Sequence, residues 1–263
     1  MPAAETACKV ALVTLNEPAR RNVMSAGLVS ELMEVMDEVE ADESVGALVV
    51  TGSPPAFCAG ADLGNLANEG AKAGAGGGQG GPEAGLRGIY EGFLRLAKSP
   101  LPTVAAVNGA AVGAGMNLAL ACDVRVCGVS ARFDTRFLQL GLHPGGGHTW
   151  MLQRAVGPEV AAAMVLFGEA MDGRTAAARG LVYRCVEDQD LLDTSLALAN
   201  RAAVAPRELA VRVKQTLRVA GTLSSHEKAV DAEIEAQIWS LGQPVFAERL
   251  AGLRARVSGR AQR

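Results

Sequence analysis

A run of 24 residues without a formal charge, bounded by Lys98 and Asp123, constrains this 263-residue chain more than any other feature. It reads SPLPTVAAVNGAAVGAGMNLALAC. The length would suit a membrane-crossing helix, but Pro100, Pro102, Asn108 and Asn117 interrupt it, with Gly109, Gly113 and Gly115 spaced through its middle. These interruptions predict a buried strand over 103–107, a tight glycine turn, and a buried helix over about 112–122. Glycine and alanine at such a turn let a ligand approach the backbone closely. A helix that starts there aims unpaired N–H groups at whatever lies in front of it. Such a turn can hold a developing oxyanion.

The segments before this run read as α/β. A strand is expected over 10–15, closed by Asn16, Glu17 and Pro18. Ser25 is placed to cap the helix that follows, in which Leu28, Leu32, Val35, Met36 and Val39 fall on one face. A buried strand over 47–51 completes a strand–helix–strand opening. Residues 56–66 (AFCAGADLGNL) read as an apolar loop. From Gly70 to Gly85, eight of sixteen residues are glycine, which predicts a weakly ordered loop, either a surface insertion or a mobile wall beside a pocket.

After a helix over 86–97 and the central run, VRVCGV predicts another strand, followed by a loop-rich segment that holds His143 and His148. Helices are expected over 150–156 and 159–167, broken at Gly157-Pro158, then a short strand over 181–186. From there the pattern is helical: 191–203, 207–219, 224–240 and 244–256. The change of pattern predicts a core over 1–195 and a helical region over 196–263.

Bulk properties exclude several functions. A net charge of −3 gives no footprint for nucleic acid. Five cysteines without a CxxC pair suit reduced thiols, and the N-terminal residues show no basic region leading into a long apolar run. The expectation is a cytoplasmic protein that does not associate with membranes. No GxGxxG opens a helix after a strand, no GxxxxGK[ST] occurs, and the HPGGG run has no GxSxG beside it. No HExxH or paired Cys/His spacing offers a metal site, so neither a metal nor a separate cofactor is expected.

What remains is a pair of loops, CAGADL and NGAAVGAG, each following a buried strand. With NEPARRNVMS at 16–25 and ARFDTRFLQLGLHPGGG at 131–147, they closely resemble the enoyl-CoA hydratase/isomerase (crotonase) superfamily. The resemblance runs over nearly the whole chain. It implies a crotonase-like spiral of β-β-α units whose C-terminal helices build a trimer, often paired into a hexamer. The ligand it implies is an acyl-CoA thioester, with coenzyme A entering as part of the substrate. By matching motif positions, the thioester oxygen would accept hydrogen bonds from the backbone N–H groups of Ala61 and Ala114, the latter following Gly113. Ala59, Asp62 and Leu63 would line the coenzyme A portion, and Arg20 or Arg21 would meet its phosphates.

The sequence departs from the family at the acid–base positions. The hydratases place one glutamate in the helix after the oxyanion turn and a second in the following loop. Here these positions hold Asn117 and Phe137, neither of which exchanges a proton near neutral pH. Little ordinary hydration is therefore expected. His143 and His148 lie in the same segment and offer a replacement base, since a histidine titrates near neutrality. Two functions follow from these residues: an enzyme that stabilises an enolate on an acyl-CoA, or a non-catalytic acyl-CoA binding or carrier protein.

Overall fold

A computed structural model describes residues 8–74 and 82–260. The architecture follows from strands that bury both faces. In β2 (Val45–Gly52), Leu48 and Val50 enter one core while Ala47 and Val49 enter another. In β4 (Thr103–Val107), Ala105 and Val107 join the first core, and Val104 and Ala106 the second. Successive side chains point to opposite faces, so such continuous apolar runs suit a parallel sheet covered on both sides. With β1 (Lys9–Leu15), β6 (Val124–Gly128) and β9 (Arg184–Val186), these strands form an all-parallel sheet ordered β1-β2-β4-β6-β9.

A second sheet is ordered β3 (Ala56–Cys58), β5 (Ala110–Val112), β7 (Arg132–Asp134) and β8 (Met171–Asp172), with only β7–β8 antiparallel. Chain order alternates between the sheets and then inserts helix. After β2 and β3 come α2 (Leu63–Gly74) and α3 (Pro82–Lys98); after β4 and β5 comes α4 (Ala114–Ala121); after β6 and β7 comes α5 (His148–Phe167). This is the expected spiral of β-β-α units. The first core lies between the sheets and receives α1 (Ala26–Ala41), α3, α4 and α5, with Phe57, Phe93 and Phe133 fully buried.

Many elements lie where the sequence placed them. Ser25 Oγ caps α1 by accepting from Leu28 N at 3.2 Å. Gly157 leaves helical geometry inside α5 (φ 78°, ψ 169°), beside Pro158. Others differ. Residues 110–112, expected as turn and helix start, form β5, because the second sheet offers them partners on both sides. The expected loop over 56–66 is divided between β3 and the start of α2. The glycine-rich stretch 70–85 is helical at both ends, in α2 through Gly74 and in α3 from Pro82; its middle, 75–81, lies outside the described residues. The sequence reading missed β7, β8 and α6 (Gly173–Ala178).

The C-terminal helices are α7 (Leu191–Ala203), α8 (Arg207–Ala220), α9 (His226–Leu241) and α10 (Pro244–Arg260). The 195/196 division falls inside α7, whose Leu191, Ala199 and Ala203 cover the outer face of the five-stranded sheet. Lys214 of α8 is buried, and its Nζ donates to Leu101 O and Asp123 at 2.6 Å each. Among the described residues, no helix is long and apolar enough to cross a membrane.

Candidate active site

Two backbone loops meet at one cavity of about 740 Å³. The first, Ala59–Gly60–Ala61, is laced to the segment before α1. Ala59 N donates to Arg21 O at 3.0 Å, Met24 N donates to Gly60 O at 2.8 Å, and Met24 bridges to Ala61 in parallel register. Gly60 takes φ +110°, which glycine alone adopts readily. The second loop turns at Gly113 (φ +50°) into α4, whose first residue is Ala114. Ala114 therefore stands where a helix N–H has no intrahelical acceptor. Among the described residues, no turn, loop or cap hydrogen bond uses the N–H of Ala61 or Ala114. Gly115 makes their approach possible: a Cβ there would collide with the Cys58 carbonyl, so α4 rests its backbone directly on β3.

Arg20, Arg21, Ala59, Asp62, Leu63 and Gly113 all line this cavity. Asp62 is already engaged. Its Oδ1 accepts from Asn65 N at 2.9 Å at the start of α2, and its Oδ2 pairs with Arg20. Arg20 also lies 3.5 Å from Glu17, so acids bracket it; Arg21 carries its exposed side chain from a left-handed backbone (φ 54°).

Asn117 lines the cavity but is almost wholly buried, one turn into α4. Its Nδ2 donates to Gly145 O at 3.1 Å, which fixes the amide orientation. Its Oδ1 then accepts from His148 Nδ1 at 2.6 Å, so His148 carries its proton on Nδ1. His148 Nε2 is buried without a partner. Burial lowers the His148 pKa from 6.5 to about 4, leaving the ring neutral. Phe137 lines the cavity and meets the His148 ring edge-on, with centroids 4.9 Å apart. His148 itself does not line the cavity; it braces Asn117 and Phe137.

His143 does line the cavity and is exposed. Its Nδ1 donates to Pro144 O at 2.7 Å, which leaves Nε2 as the ring's acceptor. Arg136, another lining residue, sits at φ 58° and is tied to buried Asp134 through Nη2 at 2.7 Å and Nε at 3.2 Å. That carboxylate raises the Arg136 pKa further. Tyr90 adds a hydroxyl placed against Gly145, and burial pushes its pKa up, so it stays protonated.

The sequence reading missed Tyr90, Leu140 and Leu142 as wall residues. Tyr90 on the amphipathic α3 carried only a general core signal, and the 3-10 turn Leu138–Leu140 had no loop motif to mark it. Among the described residues, no three His, Cys, Asp or Glu side chains gather as a metal site.

Comparison with known proteins gives the family. The family model for enoyl-CoA hydratase/isomerase matches residues 5–241, and the chain belongs to that family. It is 47% identical over 253 residues to the "Probable enoyl-CoA hydratase EchA14" of Mycobacterium tuberculosis, covering 94% of each. It is 35% identical over 218 residues to the "1,2-epoxyphenylacetyl-CoA isomerase" of Escherichia coli, covering 81% of this chain and 80% of the other. Among solved structures, a probable enoyl-CoA hydratase/isomerase from Mycobacterium abscessus superposes with TM-score 0.82 at 30% identity, covering 96% of this chain and 95% of that one.

Proposed function

We propose that the protein is an enzyme that binds an acyl-CoA thioester in the cavity and stabilises an enolate-like state with the N–H groups of Ala61 and Ala114. The observation that carries this reading is that both loops open onto one cavity, each presenting an alanine N–H that no backbone turn or cap consumes. Preorganised donors of this kind contribute about 3 kcal/mol each where negative charge develops on oxygen. Arg21 is the arginine better placed to meet the coenzyme A phosphates, because Arg20 is held by Asp62 and Glu17. Coenzyme A comes as part of the substrate, and no further cofactor is invoked.

Asn117 and Phe137 cannot pass a proton to or from water, so hydration of an ordinary enoyl-CoA is slow in this reading. Among the described residues, the only carboxylate that lines the cavity, Asp62, is paired with Arg20. His143, with Nε2 free as an acceptor and its ring at the cavity wall, is the base available for removing an α-proton. That favours an isomerase-type or other enolate reaction over hydration. The non-catalytic carrier is the second reading, favoured by the same lack of a free carboxylate. The exposed apolar residues of the C-terminal helices, among them Val213, Leu217, Ile234 and Ile238, support assembly into a trimer or a hexamer.

The test is a turnover screen of enoyl-, 3-hydroxyacyl- and other acyl-CoAs with the purified protein and His143→Ala. Turnover that falls about 10²-fold in the variant while binding persists supports the enzyme. Robust hydration of crotonyl-CoA that survives His143→Ala would sink the reading, and binding without turnover across the panel would favour the carrier.

A further inference from the structure

The thioester cavity does not end at the acid–base positions. A second chamber of about 370 Å³ adjoins it, and the two share five wall residues: Leu63, Leu66, Leu86, Leu140 and Leu142. These leucines come from three separate elements, α2, α3 and the turn after Leu138. The border between the two spaces is thus purely aliphatic. Core packing does not explain three of them: Leu63, Leu140 and Leu142 are 69%, 55% and 38% exposed. The walls that belong to the second chamber alone are small, Ala67, Gly70 and Ala73 along α2, and Gly141 opposite. Among the described residues its single charged wall residue is Glu69, which seats its carboxylate against the Gly85 backbone, with Oε1 2.6 Å from Lys72 Nζ and Oε2 buried without a partner.

The polar groups of the first cavity lie elsewhere on its wall. Asn117, Tyr90, His143 and Arg136 line that cavity but not the second chamber. Apart from Glu69, whose carboxylate is turned to Gly85 and Lys72, the chamber's described walls are apolar, so a ligand that spans both spaces has a polar, reacting head and a long apolar tail.

We infer that the chain selects long aliphatic acyl-CoAs, the acyl tail passing between the shared leucines into the chamber beneath α2. This rests on the acyl-CoA reading above and adds the class of acyl group. A short acyl group would leave the chamber and its exposed leucines unfilled, whereas a chain of eight or more carbons would cover them. Each methylene moved from water to such a wall strengthens binding by at most about fourfold, the ratio equivalent to ~0.8 kcal/mol per buried CH₂.

The experiment is calorimetric binding of coenzyme A and of butyryl-, octanoyl- and dodecanoyl-CoA, below their micelle-forming concentrations, to wild type and Ala67→Phe. Ala67 is exposed on α2 and lines the second chamber but not the thioester cavity, so a phenyl ring there narrows only the tail's path. For wild type the expected Kd falls at least tenfold from butyryl- to octanoyl-CoA and falls again to dodecanoyl-CoA. Ala67→Phe is expected to flatten that series. A wild-type Kd that does not depend on chain length overturns the inference and leaves acyl-CoA binding standing. So does a gain with length that Ala67→Phe does not reduce. Failure to bind any of the four ligands would overturn the acyl-CoA reading itself.

Discussion

His148 makes the stability of this fold depend on pH in a way that one substitution should remove. The ring is buried, spends Nδ1–H on Asn117, and has no acceptor waiting at Nε2. A second proton would place a charge and an unsatisfied N–H inside the core, so burial lowers the folded pKa to about 4 against 6.5 in the unfolded chain. Between those values the unfolded state binds more protons than the folded one, so stability rises with pH. The contribution is complete above about pH 6.5 and is lost as pH falls towards 4. At 1.36 kcal/mol per pKa unit, the shift amounts to about 3 kcal/mol over the whole window and about 2 kcal/mol at pH 5. His148→Gln keeps a donor for Asn117 Oδ1 but cannot titrate. Urea unfolding at fixed protein concentration, for wild type and variant at pH 7.5, 6, 5 and 4.5, isolates the effect, because all other titrating groups are common to both. The variant should lose less stability on acidification, by about 2 kcal/mol at pH 5. Parallel curves would refute the placement of a neutral, unpartnered ring behind Asn117.

Two further outcomes test the scaffold. Gly115→Ala should force α4 off the Cys58 carbonyl, costing about 3 kcal/mol in a thermal melt and weakening acyl-CoA binding more than tenfold by calorimetry; wild-type binding in the variant would show that the close approach of α4 to β3 is dispensable. Lys214→Met removes the buried ammonium bound to Asp123 and Leu101 O. Asp123 keeps its bonds from Thr103 and is partly open to solvent, so the cost should be about 2 kcal/mol, below that of a fully buried pair, and the melting temperature should fall by about 4–8 °C. An unchanged melting temperature would mean that the ion pair contributes nothing net.

The sequence showed most where a residue's role depends on its own neighbours. The Ser25 cap, the break at Gly157-Pro158 and the limits of β4 and α7 are all local signals, and the structure has each of them. The two glycine/alanine loops were legible because close backbone approach leaves few alternatives to small side chains. What depends on distant partners was not legible. Three-residue strands such as β5 and β7 exist only because each finds the other across the second sheet. Nothing in ARFDTRFLQLGLHPGGGH separates His143, on the cavity wall, from His148, buried five residues on. The packing of His148 on Asn117 and Phe137, which buries it, is a tertiary fact.

The Asn117 amide is also a strut. It holds α4 through its own backbone and the 143–147 loop through Gly145 O, and it receives His148 from the start of α5. A carboxylate in its place could still accept from His148 but would turn an oxygen towards the Gly145 carbonyl, where a donor now stands. Exchanging this one side chain for a proton-transferring one therefore breaks a joint between three segments. A glutamate at this position would need the 143–147 loop rebuilt with it, and changing Asn117 and Phe137 alone would leave that loop without its Asn117 anchor.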